Sequence, residues 1–271
     1  MGGPIARQVS AMVITYNEGP NLARCLDKLR WVPRILVIDS GSTDDTLAIA
    51  GRYPQVEILK RPFDSFAAQC NFGLSQIAAG WVLSLDADYE LSDELIAEIL
   101  HLQEGAAAGY AVGFIYRIHG RPLRASLYPP RVVLYRRQGA AYRNDGHAHR
   151  VAGDGDVATL RAKIFHDDRK PLARWLASQQ TYARHEAEHL LAAPRAALGR
   201  IDRLRRMGWP APILVLVYTL LVRRCLLDGW PGWLYVLQRT LAETMIALEI
   251  ADRRLRRNDG KSDDTRASGN G

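Results

Sequence analysis

The sequence predicts an α/β fold: a mostly parallel sheet flanked by helices, followed by a separate helical segment. Three observations predict it. Over the first hundred residues, short apolar runs of strand length alternate with stretches of helical spacing. Three of those runs end in polar clusters, at Thr15–Glu18, Asp39–Asp45 and Asp86–Asp88. In parallel sheets ligands sit at that carboxyl edge. From Pro171 the strand pattern stops and helical spacing alone continues.

Val9–Thr15 reads as a buried strand, and Asn17–Pro20 breaks it. Asn21–Leu29 has helical spacing through Leu22, Leu26 and Leu29. Arg34–Asp39 is the second strand, and Gly41–Asp44 is a turn with helix-start chemistry ahead of a helix over Thr46–Gly51. Gln55–Leu59 is a third strand, Phe66–Ala79 a helix and Trp81–Leu85 a fourth strand. Ser92 caps a helix over Asp93–Leu102. The middle region adds strands at Gly113–Ile118, Arg131–Tyr135 and Arg161–Phe165, separated by polar loops. Helices follow: one from Pro171 as first helical residue, then Ala211–Leu227 and Trp233–Leu255. Residues 258–271 are polar and read as a disordered tail.

The chain of 271 residues has a formal charge of +7. Between Arg195 and Arg257 stand twelve Arg and five acids, so that segment carries the whole excess. A neutral body with a basic appendage points to an anionic partner. Cys25, Cys70 and Cys225 are far apart and contain no Cys-x-x-Cys, which argues against a disulfide framework or a thiolate zinc site and suggests a reducing compartment. Met1–Gln8 lacks the apolar core of a secretory signal, and no apolar run reaches the ~18–20 residues of a spanning helix.

Asp86 and Asp88 follow the fourth strand directly. Two carboxylates at a strand end suit a hard divalent cation held with diphosphate oxygens. Alone the spacing is weak evidence, and an acid pair ahead of a helix start is the plainer reading. Asp39 could accept a base N–H, or serve only the turn that follows it. Tyr16 could lie against a base.

Together these residues carry a resemblance. The ordered set Thr15-Tyr16-Asn17-Glu18, Val37–Thr46, Gln69-x-Asn71 and Leu83–Asp88 resembles the N-terminal half of the family 2 inverting glycosyltransferases, which have a GT-A fold. Asp228-Gly229-Trp230-Pro231-Gly232 resembles bacterial members of the lipopolysaccharide-core glucosyltransferase type. The resemblance implies a catalytic domain over 1–170, with a nucleotide-sugar half at about 9–102 and an acceptor half at about 110–166, and a helical region over 171–257. It implies a nucleotide-sugar donor, commonly UDP-linked, and Mg2+ or Mn2+. By the family pattern Asp39 contacts the base, Asp86 the ribose or nearby donor groups, and Asp88 the metal. Thr15, Tyr16, Asn17, Glu18, Gln69, Asn71 and Arg131 join them as donor-site candidates; Arg117 and Arg124 bracket the same middle segment.

An inverting transfer needs a base for the acceptor hydroxyl. Related chains show a His-Glu pair where this one reads Asn144-Asp145-Gly146-His147-Ala148-His149. Asp145 is the choice for base, His149 an alternative, and His147 a metal or diphosphate ligand as well as a catalytic candidate. His166-Asp167-Asp168 is another acid-rich site that could be catalytic, with helix capping ahead of Pro171 as the plainer reading.

The basic helices, with Trp209, Trp230 and Trp233 among aliphatic residues, suit an anionic membrane surface; packing on the catalytic domain or a second subunit is the alternative. The expected location is the cytoplasmic face of the inner membrane, and the expected acceptor a glycan or lipid-linked sugar of the cell envelope. No nucleic-acid motif appears. A pyrophosphorylase or dinucleotide dehydrogenase lacks its glycine-rich loop here. A non-catalytic nucleotide-sugar-binding protein on the same scaffold remains the alternative.

Overall fold

The computed structural model describes residues 3–124, 127–145, 148–152 and 155–267, with the side chains of 144–145, 148–152 and 258–267 left aside. The chain divides into two compact units, Met1–Lys170 and Pro171–Gly271.

In the first unit, β1 (Val9–Thr15), β2 (Arg34–Asp39), β3 (Val56–Lys60) and β4 (Trp81–Asp86) are parallel, in the order β3-β2-β1-β4. The sheet continues through β8 (Arg131–Arg136), β6 (Gly109–Ile118), β11 (Val157–His166) and β5 (Tyr89–Leu91). Of these, β8 is antiparallel to both β4 and β6, while β11 is parallel to β6 and antiparallel to β5. The short β7 (Arg121–Pro122) pairs with β6. A separate hairpin joins β9 (Ala141–Asp145) to β10 (Ala148–Ala152). This is the predicted α/β architecture, with added antiparallel strands and the hairpin that the polar middle sequence does not announce.

The central strands β1, β2 and β4 are mostly apolar because both sheet faces are covered there. Val9, Ala11, Val13, Ile35, Val37 and Leu83 face a core completed by Leu22 and Leu26 of α1 (Leu22–Asp27) and by Leu95 and Ile99 of α4 (Asp93–His101). Their alternates Met12, Leu36, Ile38 and Val82 pack on Ala67, Cys70 and Leu74 of α3 (Phe66–Ser75). Ser92 caps α4 as predicted, accepting from Leu95 N at 3.1 Å, and Ser65 does the same for α3 at 3.2 Å from Ala68 N. In the turn ahead of α2 (Thr46–Ala50), Asp44 serves the helix start, accepting from Thr46 N at 3.0 Å, while Ser42 and Thr43 bind the loop after β1.

The second unit contains α5 (Leu172–Ala192), α6 (Arg200–Met207), α7 (Pro210–Val217) and α8 (Trp230–Ala267). Pro171 stands one residue ahead of α5, in extended conformation. The single helix expected over Ala211–Leu227 is broken into α7, a π turn at Tyr218–Val222 and a 3-10 turn at Cys225–Asp228. The reasons are local. The run cannot continue through Arg224, which adopts a left-handed φ of 56°, and in the π turn the buried Thr219 hydroxyl donates to Val215 O at 2.7 Å. At Asp228–Gly232, Gly229 takes a positive φ, and a Cβ on Gly232 would overlap the Cys225 carbonyl. α8 runs to Ala267, through most of the segment that the sequence reading gives to a polar tail. The core here is Ala183, Ala187, Leu190, Leu198, Ile246 and Ile250, with a buried Glu243 held by Arg205. Among the described residues no helix is long and apolar enough to cross a membrane.

Candidate active site

Three parallel strands deliver their last residues to one edge. Thr15 lies beside Asp39 in register, and Ile14 beside Asp86. The loops that follow β1 and β2 are laced together. Asn17, at a φ of 53°, accepts from Thr43 N at 2.6 Å and donates its own N–H to Ser42 Oγ at 2.7 Å. Glu18 N donates to Thr46 Oγ1 at 2.7 Å.

Asp39 is fully buried and holds its own turn. Its Oδ2 accepts from Gly41 N and Ser42 N, both at 2.9 Å, while Oδ1 meets the Ser42 and Thr15 hydroxyls. These contacts use about the four acceptor positions of a carboxylate. Gln69, also fully buried, spans Ser40 Oγ and Arg61. Asn71 clamps β9 from α3: its Nδ2 donates to Tyr142 O at 2.9 Å and its Oδ1 accepts from Tyr142 N at 2.8 Å. Tyr16 presents a half-exposed ring at the same edge.

The acids after β4 meet His166, which the sequence reading assigned first to helix capping and only second to catalysis. Asp88 Oδ2 lies 3.1 Å from His166 Nε2. The two come together because the end of β11 pairs antiparallel with β5, with His166 opposite Tyr89. Burial pushes the Asp88 carboxyl up, but His166 and Lys170 more than reverse this and hold it at about 2. Asp86 faces Arg131, whose Nη1 is 3.7 Å from Asp86 Oδ2 and whose guanidinium lies over the Tyr128 ring at 4.8 Å. Arg117 goes elsewhere, stacking on Phe165 and pairing with Glu90. Glu18 accepts from Lys170 Nζ at 2.7 Å; burial, and then the Asp88 charge, push its carboxyl up to about 7 against the pull of that lysine.

The capping role expected for His166–Asp168 is not what these residues do. Pro171 has no side-chain cap. The buried Asp167 carboxylate accepts from Arg24, Arg169 and Gly120 N, and Asp168 accepts from Asn21. The segment is a strap that ties the end of β11 to the start of α1. A histidine closing the last long strand was the available signal.

Asp145 closes β9 and His149 lies in β10, opposite Asn144. His147 lies outside the described residues. Among the described residues no cluster of three or more His, Cys, Asp or Glu forms a ready metal cage. Asp88 and His166 do converge, and Asp86 stands two residues away on the same turn. His166 donates from Nε2 to the Asp88 carboxylate, and its Nδ1 is buried without a hydrogen-bond partner. The donor types that Asp88 and His166 bring together, with Asp86 close by in the chain, suit a divalent cation, and an imidazole among them suits Mn2+ better than the oxygen-seeking Mg2+.

A mostly parallel sheet with polar clusters at its carboxyl edge and flanking helices is an α/β fold of the GT-A kind. The family model for glycosyl transferase family 2 matches residues 10–165, and the chain belongs to that family. An uncharacterized glycosyltransferase of Rickettsia conorii is 37% identical over 103 residues, 38% of this chain and 36% of that protein. The lipopolysaccharide core biosynthesis glycosyltransferase LpsC of Rhizobium meliloti is 33% identical over 121 residues, 42% of each chain. The matches thus span well under half of these curated relatives. Among solved structures, a mannosyltransferase from Pyrobaculum calidifontis in complex with GDP-Man and Mn2+ shares the fold, with a TM-score of 0.50 and 17% identity over 94% of this chain and 89% of that one.

Proposed function

We propose that the chain transfers a sugar, with inversion, from a UDP-linked donor to a hydroxyl of a glycan or lipid-linked acceptor. The setting is cell-envelope polysaccharide or lipopolysaccharide synthesis on the cytoplasmic face of the inner membrane. The observation that carries the reading is the contact of Asp88 with His166, two residues beyond Asp86, at the carboxyl edge of a family 2 sheet.

Asp86, Asp88 and His166 would hold Mg2+ or Mn2+, whose charge offsets that of a departing nucleoside diphosphate. Tyr16 offers its exposed ring to the base. Asp39, already committed to its turn, reaches a base N–H only if the Ser42 or Thr15 hydroxyl rotates away. Arg131 can leave Asp86 for a diphosphate oxygen, where its planar fork binds best. Asp145 takes the proton as the acceptor oxygen attacks the anomeric carbon. The new glycosidic bond forms as the bond to diphosphate breaks on the opposite face. Asn71 acts through the hairpin, since its paired bonds to Tyr142 fix the strand that ends at Asp145.

The test is calorimetric titration of UDP with and without Mn2+, repeated on Asp88→Ala. Tight binding that needs both Mn2+ and Asp88 is expected. UDP binding indifferent to both overturns the metal assignment; if UDP does not bind at all, titrations with GDP, CMP and dTDP identify another base or sink the donor reading. Metal-dependent UDP release lost in Asp145→Asn supports the base, and unchanged turnover in that variant removes it.

A further inference from the structure

We propose that the outer face of α7 and its π turn is a docking surface for an anionic lipid bilayer, lying in the plane of the interface. The face is apolar and open. Ile213, Val217 and Leu221 follow one another at four-residue spacing, and Leu214, Tyr218 and Val222 stand beside them. All six are exposed, Leu221 at 59% and Val222 at 63%, and Trp209 at the head of the helix is exposed at 73%. Pro210, Ala211 and Thr219 are buried on the opposite side, so the helix is oriented and its apolar face is not a core face. Contiguous apolar surface of this kind marks an interaction site.

The charges around it choose the occupant. From Arg203 to Leu227 there are five Arg and no Asp or Glu, and with Asp202 and Asp228, which bound the stretch, the balance is still +3. Arg205 is taken by Glu243, while Arg203 and Arg206 cap backbone carbonyls of the preceding loop and keep their charge. Arg223 and Arg224 stand at the far end. A second copy seated here would set arginines against arginines. Anionic headgroups complement them, with tryptophan at the boundary between headgroup and chain. The stretch from Pro210 to Val222 is about 20 Å long at 1.5 Å per residue, against a hydrocarbon core of about 30 Å, so it lies in the surface and does not span it.

The inference deepens the lipid-linked acceptor reading and rests on it for its purpose, but vesicle binding needs no donor, so the two fail separately. The full chain is sedimented with vesicles of phosphatidylcholine alone and of phosphatidylcholine mixed with phosphatidylglycerol. Co-sedimentation with the mixed vesicles only, weakening as salt rises, is expected. Arg223→Gln with Arg224→Gln lowers partitioning by about fivefold per arginine. Trp209→Ser with Leu221→Ser abolishes it, with circular dichroism, oligomeric mass and UDP binding unchanged. No co-sedimentation with the mixed vesicles, or co-sedimentation that survives Trp209→Ser with Leu221→Ser, overturns the proposal. A fall in oligomeric mass in that variant also overturns it, by giving the face to a second copy. Vesicle binding by a parent chain that does not bind UDP supports the surface and strikes the donor reading alone.

Discussion

Glu18 sits between the Lys170 ammonium, which it accepts from, and the charge of Asp88, which repels it. Burial adds to the repulsion, so the carboxyl rises from 4.5 to about 7. A carboxyl raised in the fold contributes stability that is complete below pH 4.5 and is lost as pH climbs through 7. Over that window the loss is about 3 kcal/mol, at roughly 1.4 kcal/mol per pH unit of displacement. Asp88 works in the opposite sense, but only as pH falls below 3.8 toward 2, outside the window. Urea unfolding at pH 5 and pH 8 is therefore expected to show a lower midpoint at the higher pH, with the difference reduced in Glu18→Gln. A difference that stays the same size in Glu18→Gln removes this carboxyl as its source. What the sequence displayed at this scale was which loops matter. Asp86 and Asp88 are legible because they close an apolar strand. His166 was not, because 78 residues separate it from Asp88 and only the β5–β11 pairing brings them together. Nor could the sequence say that the amides of Gln69 and Asn71 are bonded within the protein, since an amide near a site reads equally well as a ligand or as a clamp.

At the scale of elements, the parallel half of the sheet was readable because its central strands are buried on both faces and so are mostly apolar. The β9–β10 hairpin and the broken helix after α7 were not. The hairpin strands are short and polar, and the break falls where Arg224 turns left-handed inside an apolar helical pattern. Helix α3 shows how closely the readable part is fitted. Its Gly73 lies on the sheet where a Cβ would overlap Ile38 Cδ1 and Met12 Sδ. Alanine in a helix interior gains about 1 kcal/mol over glycine. Overpacking a filled core costs about 1–3 kcal/mol, and here the obstacle is two side chains that are themselves fully buried. Gly73→Ala is expected to lower the urea midpoint. Gly51→Ala, where the added carbon meets only ordinary contacts at 3.5 Å and beyond, is expected to leave it unchanged or raise it. If the two variants behave alike, close packing of α3 is not what requires glycine at 73.

For the whole molecule, the placement of charge in the sequence already separated a neutral body from a basic appendage, and the chain divides into two units at Lys170. Each unit has a core of its own, large in the first and small in the second. Every residue assigned to the donor site lies in the first unit, down to the Lys170 that pairs with Glu18. The apolar, arginine-ringed face lies in the second. Donor binding and surface binding should therefore part when the chain does. A chain ended after Arg174, which keeps the strap from His166 to Lys170 and the first turn of α5, is expected to fold and to retain Mn2+-dependent binding of UDP. Its partitioning to phosphatidylglycerol vesicles is expected to vanish. Circular dichroism establishes the fold, calorimetry the first property and co-sedimentation the second. A folded truncate that no longer binds UDP would mean that helices beyond Arg174 complete the donor site. One that still sediments with vesicles would place the lipid-binding surface on the sheet unit instead.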